Sequence, residues 1–286
     1  MGRRIMLTIA YDGTDYVGWQ MQPNGTAVEE VINKALSELT GEDIVIAGAS
    51  RTDSGVHADG NVAVFDTETR IPADKICFAL NQRLPKDIVC RSSCEVKPDF
   101  HPRHADCIKT YEYRIYNAVH PDPIKRRYSY FVYVPLDIDA MRKAAEYLKG
   151  EHDFSSFCSA HAQVKTTVRK IFSLEILTGA LPGEEKEKNI PDENGYLQAC
   201  GTQNINKKYM AQDIVIRISG NGFLYNMVRI IAGTLCKVGY HFYPPEHVKE
   251  ILDGCDRKLA GPKAPAEGLK LVGIEYLTDY LINPTI

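Results

Sequence analysis

Hydrophobic and polar positions alternate with a period of two along several short segments, a pattern typical of strands with one buried face. The clearest segment is residues 110–116, in which Tyr111, Tyr113 and Ile115 share one face. Similar patterns predict further strands at residues 3–11, 44–49, 61–65, 88–96, 168–177, 213–219 and 271–276, with residues 129–134 able to pair with 110–116.

Apolar residues recur at helical spacing in five other segments. The predicted helices are residues 26–39, 72–84, 136–148, 223–238 and 245–252. Strands and helices therefore follow one another twice, with a break near residues 98–110. This order predicts an α+β fold of two similarly built halves, residues 1–104 and 105–286, each an antiparallel sheet with helices on one face, around a central active-site cleft. A glycine-, proline- and charge-rich stretch at about residues 179–208 interrupts a predicted β-hairpin, which indicates a surface insertion.

Composition narrows the class of protein further. The 286 residues are 44% hydrophobic and 25% charged, which are ordinary globular values. The formal net charge of −3 excludes a uniformly basic nucleic-acid-binding surface. None of the eight cysteines has the spacing of a zinc knuckle, and neither a signal peptide nor a membrane span is predicted, so we expect a cytoplasmic protein.

The densest polar cluster is Arg51-Thr52-Asp53-Ser54-Gly55-Val56-His57-Ala58-Asp59, directly after a predicted buried strand. A carboxylate on such a loop is a candidate for catalysis. Two other interpretations remain open at this point: Asp53 and Ser54 could form an ordinary Asx-type turn, or Asp53, His57 and Asp59 could ligate a metal ion in a hydrolase.

Two further segments carry candidate chemistry. The tyrosines of residues 109–116 could stack on bases beside phosphate-binding Lys109 and Arg114, although tyrosine is also a common strand residue. Arg229 lies in an otherwise apolar helix, where an unpartnered guanidinium is costly, so it should meet a carboxylate. That partner could be purely structural. If it is Asp53, the ion pair favours the charged carboxylate and a nucleophile that stays ionised at neutral pH.

Taken together, these clusters resemble the TruA-type family of tRNA pseudouridine synthases over nearly the whole chain. The most specific match is the segment from Arg51 to Ala58. The other matching motifs are Tyr11-Asp12-Gly13, Gly18-Trp19-Gln20, Asp99-Phe100-His101-Pro102-Arg103, Lys109 to Asn117, Asn226-Met227-Val228-Arg229 and Ala264-Pro265-Ala266-Glu267-Gly268-Leu269. Ser54 departs from the alanine of many relatives, and the insertion is a second departure.

The resemblance implies a role for individual residues. Asp53 is expected to be the catalytic aspartate, Arg229 its basic partner, and Tyr111 the active-site tyrosine that packs on the target base. Leu269 is expected to line the base pocket, and Arg51 to enter the space left by the extruded nucleotide. The same resemblance implies a homodimer that acts on uridines 38 to 40 of the tRNA anticodon arm. An isomerisation needs no cofactor and no metal.

We expect His57 and Arg103 to contact the substrate as well. Further candidates for phosphate contacts are Lys125-Arg126-Arg127, Lys165 with Arg169-Lys170, and Lys207-Lys208. The net charge then predicts a segregated surface, with a basic cleft around Asp53 offset by acidic outer residues such as Glu184, Glu185 and Glu187. A paralogue that acts on another RNA, or binds RNA without modifying it, remains an alternative.

Overall fold

A computed structural model describes residues 2–159, 165–179 and 211–282. Its strands are β1 (Arg3–Tyr11), β2 (Ala47–Gly48), β3 (His57–Thr67), β4 (Ile88–Val96), β5 (Cys107–Asn117), β6 (Tyr130–Val132), β7 (Gly150–Asp153), β8 (Val168–Thr178), β9 (Gln212–Gly220) and β10 (Leu269–Tyr276). Its α-helices are α1 (Val28–Thr40), α2 (Ala73–Asn81), α3 (Ile138–Glu146), α4 (Met227–Gly239) and α5 (His247–Gly254).

All the described strands belong to one mixed sheet. Its main order is β4-β1-β3-β10-β5-β9-β8-β7, with β2 paired to β3 and β6 paired to β5. Along this main order the pairs on either side of the centre are antiparallel, including β1 with β3 and β5 with β9, whereas the short side pair of β5 with β6 is parallel. The α+β class is confirmed, and the two antiparallel parts are continuous rather than separate sheets.

Strand β10 makes the sheet continuous. It pairs antiparallel with β5 along most of its length and parallel with β3 through Lys270↔His57 and Leu271↔Ala58. The final strand of the chain therefore lies between the first and second halves. As a result, the loop before β3 and the segment before β10 meet at the same end of the sheet.

One face of the sheet carries the main core. Tyr113 of β5, Leu7 of β1 and Ile216 of β9 are buried there, together with apolar side chains from all five described helices. A smaller cluster, including Met6 and Val64, occupies the other face of the first half. The alternation of β5 is thus confirmed, since Tyr111, Tyr113 and Ile115 lie in the main core.

The predicted strands are present, with two marked differences in length, and β7 was not predicted. Strand β3 covers His57–Thr67, where only residues 61–65 were expected. Residues 44–49 were expected to form a buried strand, but only Ala47–Gly48 pair in the sheet. Val45 is 75% exposed although Ile44 and Ile46 are buried, so residues 44–46 lie at the edge of the core.

The start of α4 and the predicted insertion also differ from the prediction or lie beyond its test. Residues 223–226 precede α4 instead of forming its first turn, because the backbone of Asn226 is left-handed. The predicted insertion at 179–208 lies essentially outside the described residues, but its flanking strands β8 and β9 form the expected antiparallel pair.

Within the described residues, no helix is long and apolar enough to cross a membrane.

Gly233, in the middle of α4, offers a test of the packing behind the site. A Cβ atom at this position would overlap the carbonyl oxygen of Pro262. Alanine normally favours a helix over glycine by about 1 kcal/mol, but here we expect Gly233→Ala to lower the free energy of unfolding by about 1–3 kcal/mol through overpacking. Urea unfolding measures the difference.

Gly273 of β10 provides the matched control, because a Cβ atom there meets nothing within 4 Å. Gly273→Ala should leave the stability close to that of the wild type. Equal effects of the two substitutions, or a more stable Gly233→Ala protein, would contradict this account of the packing.

Candidate active site

The loop that carries Asp53 is fixed by the segment that follows β1. Asp53 forms an isolated β-bridge with Gly18, and the amide of Trp19 donates to the carbonyl of Thr52 at 3.0 Å. The Thr52 hydroxyl is 2.7 Å from the hydroxyl of Tyr11. Backbone and side-chain contacts therefore hold the loop on both sides of Asp53, which is the rigidity that a positioned carboxylate needs.

Gly18 is essential to this arrangement for a steric reason. Its φ of 110° lies in a region that other residues rarely adopt. A Cβ atom here would also lie 2.6 Å from the Thr52 carbonyl oxygen. Only glycine allows the two backbones to approach closely enough to pair, so the Gly18 motif supports the Asp53 loop.

The predicted partnership of Asp53 and Arg229 is present. Arg229 Nη1 lies 3.5 Å from Asp53 Oδ2, and the two side chains are 10% and 20% exposed, respectively. Two neutral acceptors lie closer to the guanidinium: the Ala264 carbonyl is 2.8 Å from Nε, and Asn226 Oδ1 is 3.1 Å from Nη1. The guanidinium is thus held mainly by its surroundings.

Burial sets the direction of the Asp53 pKa. Desolvation raises the pKa of this carboxyl above its usual range, and the charges of Arg229 and Lys263 only partly oppose the rise. Arg229 thus favours the charged carboxylate, as expected, but burial has the larger effect on the pKa of Asp53. A carboxylate with a raised pKa is the more basic one, which suits a group that attacks carbon or removes a proton.

Two of the predicted base-pocket residues border the same cleft. Tyr111 is 9% exposed and meets Phe223 edge-on, with ring centroids 5.2 Å apart. Burial, with a smaller effect of the Asp53 charge, raises the pKa of Tyr111 to about 12, so its phenol is neutral near pH 7. Leu269 also lines the cleft and forms part of its apolar wall. The cleft therefore offers flat and apolar surfaces beside one carboxylate.

The cleft is large and its lining is basic. Its volume is about 850 Å³. Among the described residues that line it, Asp53 is the one carboxylate, whereas Arg51, Arg103, Lys109 and Lys165 are basic. This agrees with the expected basic cleft, while Glu184, Glu185 and Glu187 lie outside the described residues.

His57 and Asp59 do not line this cleft. They border a second cavity of about 390 Å³. His57 is 5% exposed and its Nδ1 accepts a hydrogen bond from the Gly13 amide at 3.1 Å, while Asp59 pairs with Lys270. Across the described part of the chain, no three His, Cys, Asp or Glu side chains are grouped to hold a metal ion.

Sequence reasoning assigned no role to Asn226 or to the Ala264 backbone, and it placed Lys109 only among the possible phosphate-binding residues of its strand. Lys109 donates to the Ala49 carbonyl at 2.9 Å and projects into the cleft. Asn226 and the Ala264 backbone hold Arg229. Lys109, Asn226 and Ala264 all fall inside segments that carry the resemblance, but no chemical feature of the sequence separated them from their neighbours.

Comparison with known proteins agrees with this geometry. The sequence model of a family described as tRNA pseudouridine synthase matches residues 7–104 and 144–277. The chain belongs to this family. Its membership confirms the predicted enzyme class, an isomerase that acts on tRNA.

Several relatives are similar over nearly the whole chain. It is 47% identical to tRNA pseudouridine synthase A of Ruminiclostridium cellulolyticum over 274 residues, which cover 96% of this chain and 100% of the relative. It is 43% identical to tRNA pseudouridine synthase A of Brevibacillus brevis and 42% identical to tRNA pseudouridine synthase A 2 of Clostridium perfringens, with the same coverage of both chains in each case.

The raised pKa of Asp53 predicts a cost in stability. A carboxyl whose pKa is higher in the folded than in the unfolded protein destabilises the fold as the pH rises through that interval. Below the unfolded pKa the cost is absent, and above the folded pKa it is complete. We therefore expect the free energy of unfolding of Asp53→Asn, relative to that of the wild type, to be higher at neutral pH than at about pH 4. Urea unfolding of both proteins at the two pH values measures this difference. A stability difference that does not change with pH would contradict the raised pKa.

Proposed function

We propose that this enzyme converts uridine to pseudouridine in the anticodon arm of tRNA, with Asp53 as the reacting carboxylate. The observation that carries the proposal is the position of Asp53, beside Arg229 in a cleft walled by Tyr111 and Leu269. A single carboxylate next to a flat apolar surface matches a reaction on a planar base.

The reaction breaks the N1–C1′ bond of uridine and joins C5 of the base to C1′; C5 then loses its proton and N1 takes one up, so the product is an isomer of the substrate. Asp53 can attack C1′, attack C6 of the base, or remove the C2′ proton, and each of these roles needs the ionised carboxylate. The positive charge of Arg229 stabilises the ionised form of Asp53 inside the cleft. The base must rotate after the first bond breaks and before the second bond forms. Tyr111 provides an aromatic face on which the ring can stack during this rotation.

A uridine inside a stem must first leave the helical stack, which costs a few kcal/mol. Arg51 is exposed at the rim of the cleft, close to Asp53 in the chain. A planar guanidinium in this position suits the gap left by an extruded base. Arg51 is therefore proposed to fill that gap, as the family resemblance implies.

The cations of the cleft support binding of the RNA backbone. Within the described residues, no carboxylate lies at ion-pair distance from the Lys109 ammonium. Burial and then the charge of Arg51 lower the pKa of Arg103, and the charge of Glu29 opposes this shift only in part. Phosphates would supply the missing negative charge. In contrast, Lys125 is held by Asp213 and Arg127 lies near Asp15, which weakens that segment as a phosphate contact.

The finer assignments extend the same proposal. Positions 38 to 40 and a homodimer with tRNA across both subunits rest on the family resemblance, whereas a cytoplasmic site of action rests on the cysteine spacing and on the sequence prediction of neither a signal peptide nor a membrane span. Contacts of His57 with substrate fit the proposal less well, since His57 borders the second cavity. A family member that modifies a different RNA remains the alternative, and the mapped position of the product distinguishes the two.

The proposed function predicts site-specific product formation. Purified protein incubated with unmodified tRNA transcripts should form pseudouridine at positions 38 to 40, as chemical mapping of the product would measure. Asp53→Ala should abolish turnover, because the reacting group is lost, while tRNA binding in a filter assay stays close to wild type. Turnover by Asp53→Ala would refute the role of this carboxylate, and product at other positions would refute the proposed target.

The cleft cations predict a change in the salt dependence of tRNA binding. Lys109→Met should reduce the slope of log K against log salt by about 1, because one phosphate contact is lost. Lys125→Met is the matched control: its ammonium is already paired with Asp213, at 2.7 and 2.6 Å from the two carboxylate oxygens, so the slope should not change. Equal slopes for Lys109→Met and the wild type would remove Lys109 from the RNA contact surface.

A further inference from the structure

Asn226 stands out at the start of α4 because its backbone is left-handed and its side chain is buried. Its φ is 61° and its ψ is 8°, and it is 7% exposed. Left-handed backbone is uncommon for residues other than glycine, although asparagine adopts it more readily than most. A strained and buried residue next to an active site suggests a function for its side chain.

The amide of Asn226 has a defined partner on each side. Its oxygen accepts from Arg229 Nη1 at 3.1 Å, and its nitrogen donates to Ser159 Oγ at 2.9 Å. Because a guanidinium has donors and no acceptor, the amide oxygen is the end that faces Arg229, and the amide nitrogen then donates to the Ser159 hydroxyl, which can accept. A neutral acceptor is therefore presented to the guanidinium in one orientation.

Arg229 Nη1 has two N–H groups, and it donates to Asn226 as well as to Asp53. Arg229 Nη1 lies closer to Asn226 than to Asp53 Oδ2, which is 3.5 Å away. Charge-assisted N–H···O⁻ bonds are normally about 2.7–2.9 Å long. At the other edge of the guanidinium, Nε donates to the Ala264 carbonyl at 2.8 Å. The two neutral contacts hold the guanidinium short of a full ion pair.

We propose that Asn226 is a positioning residue that restrains Arg229 from closing on Asp53, so that the carboxylate stays available to react. This inference rests on the proposed function of Asp53. A carboxylate bound tightly by a guanidinium is a weaker base and a weaker nucleophile. The raised pKa of Asp53 agrees with such a restraint, although burial is its largest cause.

Asn226→Gly tests the side chain without disturbing the backbone, because glycine adopts the left-handed conformation readily. Loss of the amide lets Arg229 approach Asp53, so kcat should fall on the order of 10- to 100-fold, as expected for a misplaced reacting group. The acid limb of the pH–kcat profile should move to lower pH, because the closer cation favours the ionised carboxylate. The charged or titratable groups that face Asp53 are Arg229, Lys263 and Tyr111, and none of them is changed.

His241 supplies a matched control at the other end of the same helix. It also has a left-handed backbone, with φ of 58°, and its side chain is 71% exposed. His241→Gly should leave both kcat and the acid limb unchanged. If the acid limb of the pH–kcat profile of Asn226→Gly does not move, or moves to higher pH, the proposal is wrong whatever the value of kcat.

A second measurement separates this proposal from the function itself. The stability gained by Asp53→Asn at neutral pH should shrink or reverse in an Asn226→Gly background, because the closer Arg229 lowers the pKa of Asp53 there. This comparison needs no turnover. An unchanged gain would overturn the restraint, whereas a wild-type protein that forms no pseudouridine would refute only the proposed function.

Discussion

A buried carboxylate and a buried guanidinium face each other although they lie 176 residues apart in the chain. Asp53 comes from the loop before β3, and Arg229 from the first turn of α4. They can meet only if the two halves of the sheet are joined in a fixed register. Strand β10 provides that register, through a short parallel pairing with β3 and a longer antiparallel pairing with β5. The fold and the site thus depend on the same junction.

Charge is distributed in a way that the net value of −3 conceals. Many cations away from the cleft have carboxylate partners, as in Arg4 with Asp66 and Lys270 with Asp59. The cleft has the opposite balance, because basic side chains outnumber its one described carboxylate. A weakly acidic protein can therefore present a local surface suited to RNA.

The sequence contains enough local information to predict most strands and helices. Tyrosines that alternate along β5 correctly predicted which face enters the core, because the side-chain period of a strand is fixed. The position of β10 could not be predicted, since its pairing with β3 is parallel and joins residues more than 200 positions apart. The length of β2 was overestimated, because the apolar residues at 44–46 have the composition of a buried strand whether or not they pair in the sheet.

The same contrast applies to the site. Asp53, Tyr111, Arg229 and Leu269 were predicted from motifs, and the structure brings them to one cleft. His57 belongs to the same motif as Asp53 but lies on the opposite side of the loop, a separation that spacing alone cannot reveal. The contacts that hold Arg229 come from the side-chain amide of Asn226, placed by its left-handed backbone, and from the backbone carbonyl of Ala264, and backbone carbonyl groups are identical in every sequence.

The most direct test of the account is the structure of Asp53→Asn bound to an unmodified tRNA transcript. The substitution keeps the shape of the side chain but removes the reacting group, so the complex should persist. We expect the target uridine outside its stack, its ring against Tyr111 and Leu269, its C1′ and C6 next to residue 53, and Arg51 in the vacated space. A uridine still stacked in the stem, or bound in the cavity lined by His57, would contradict the account.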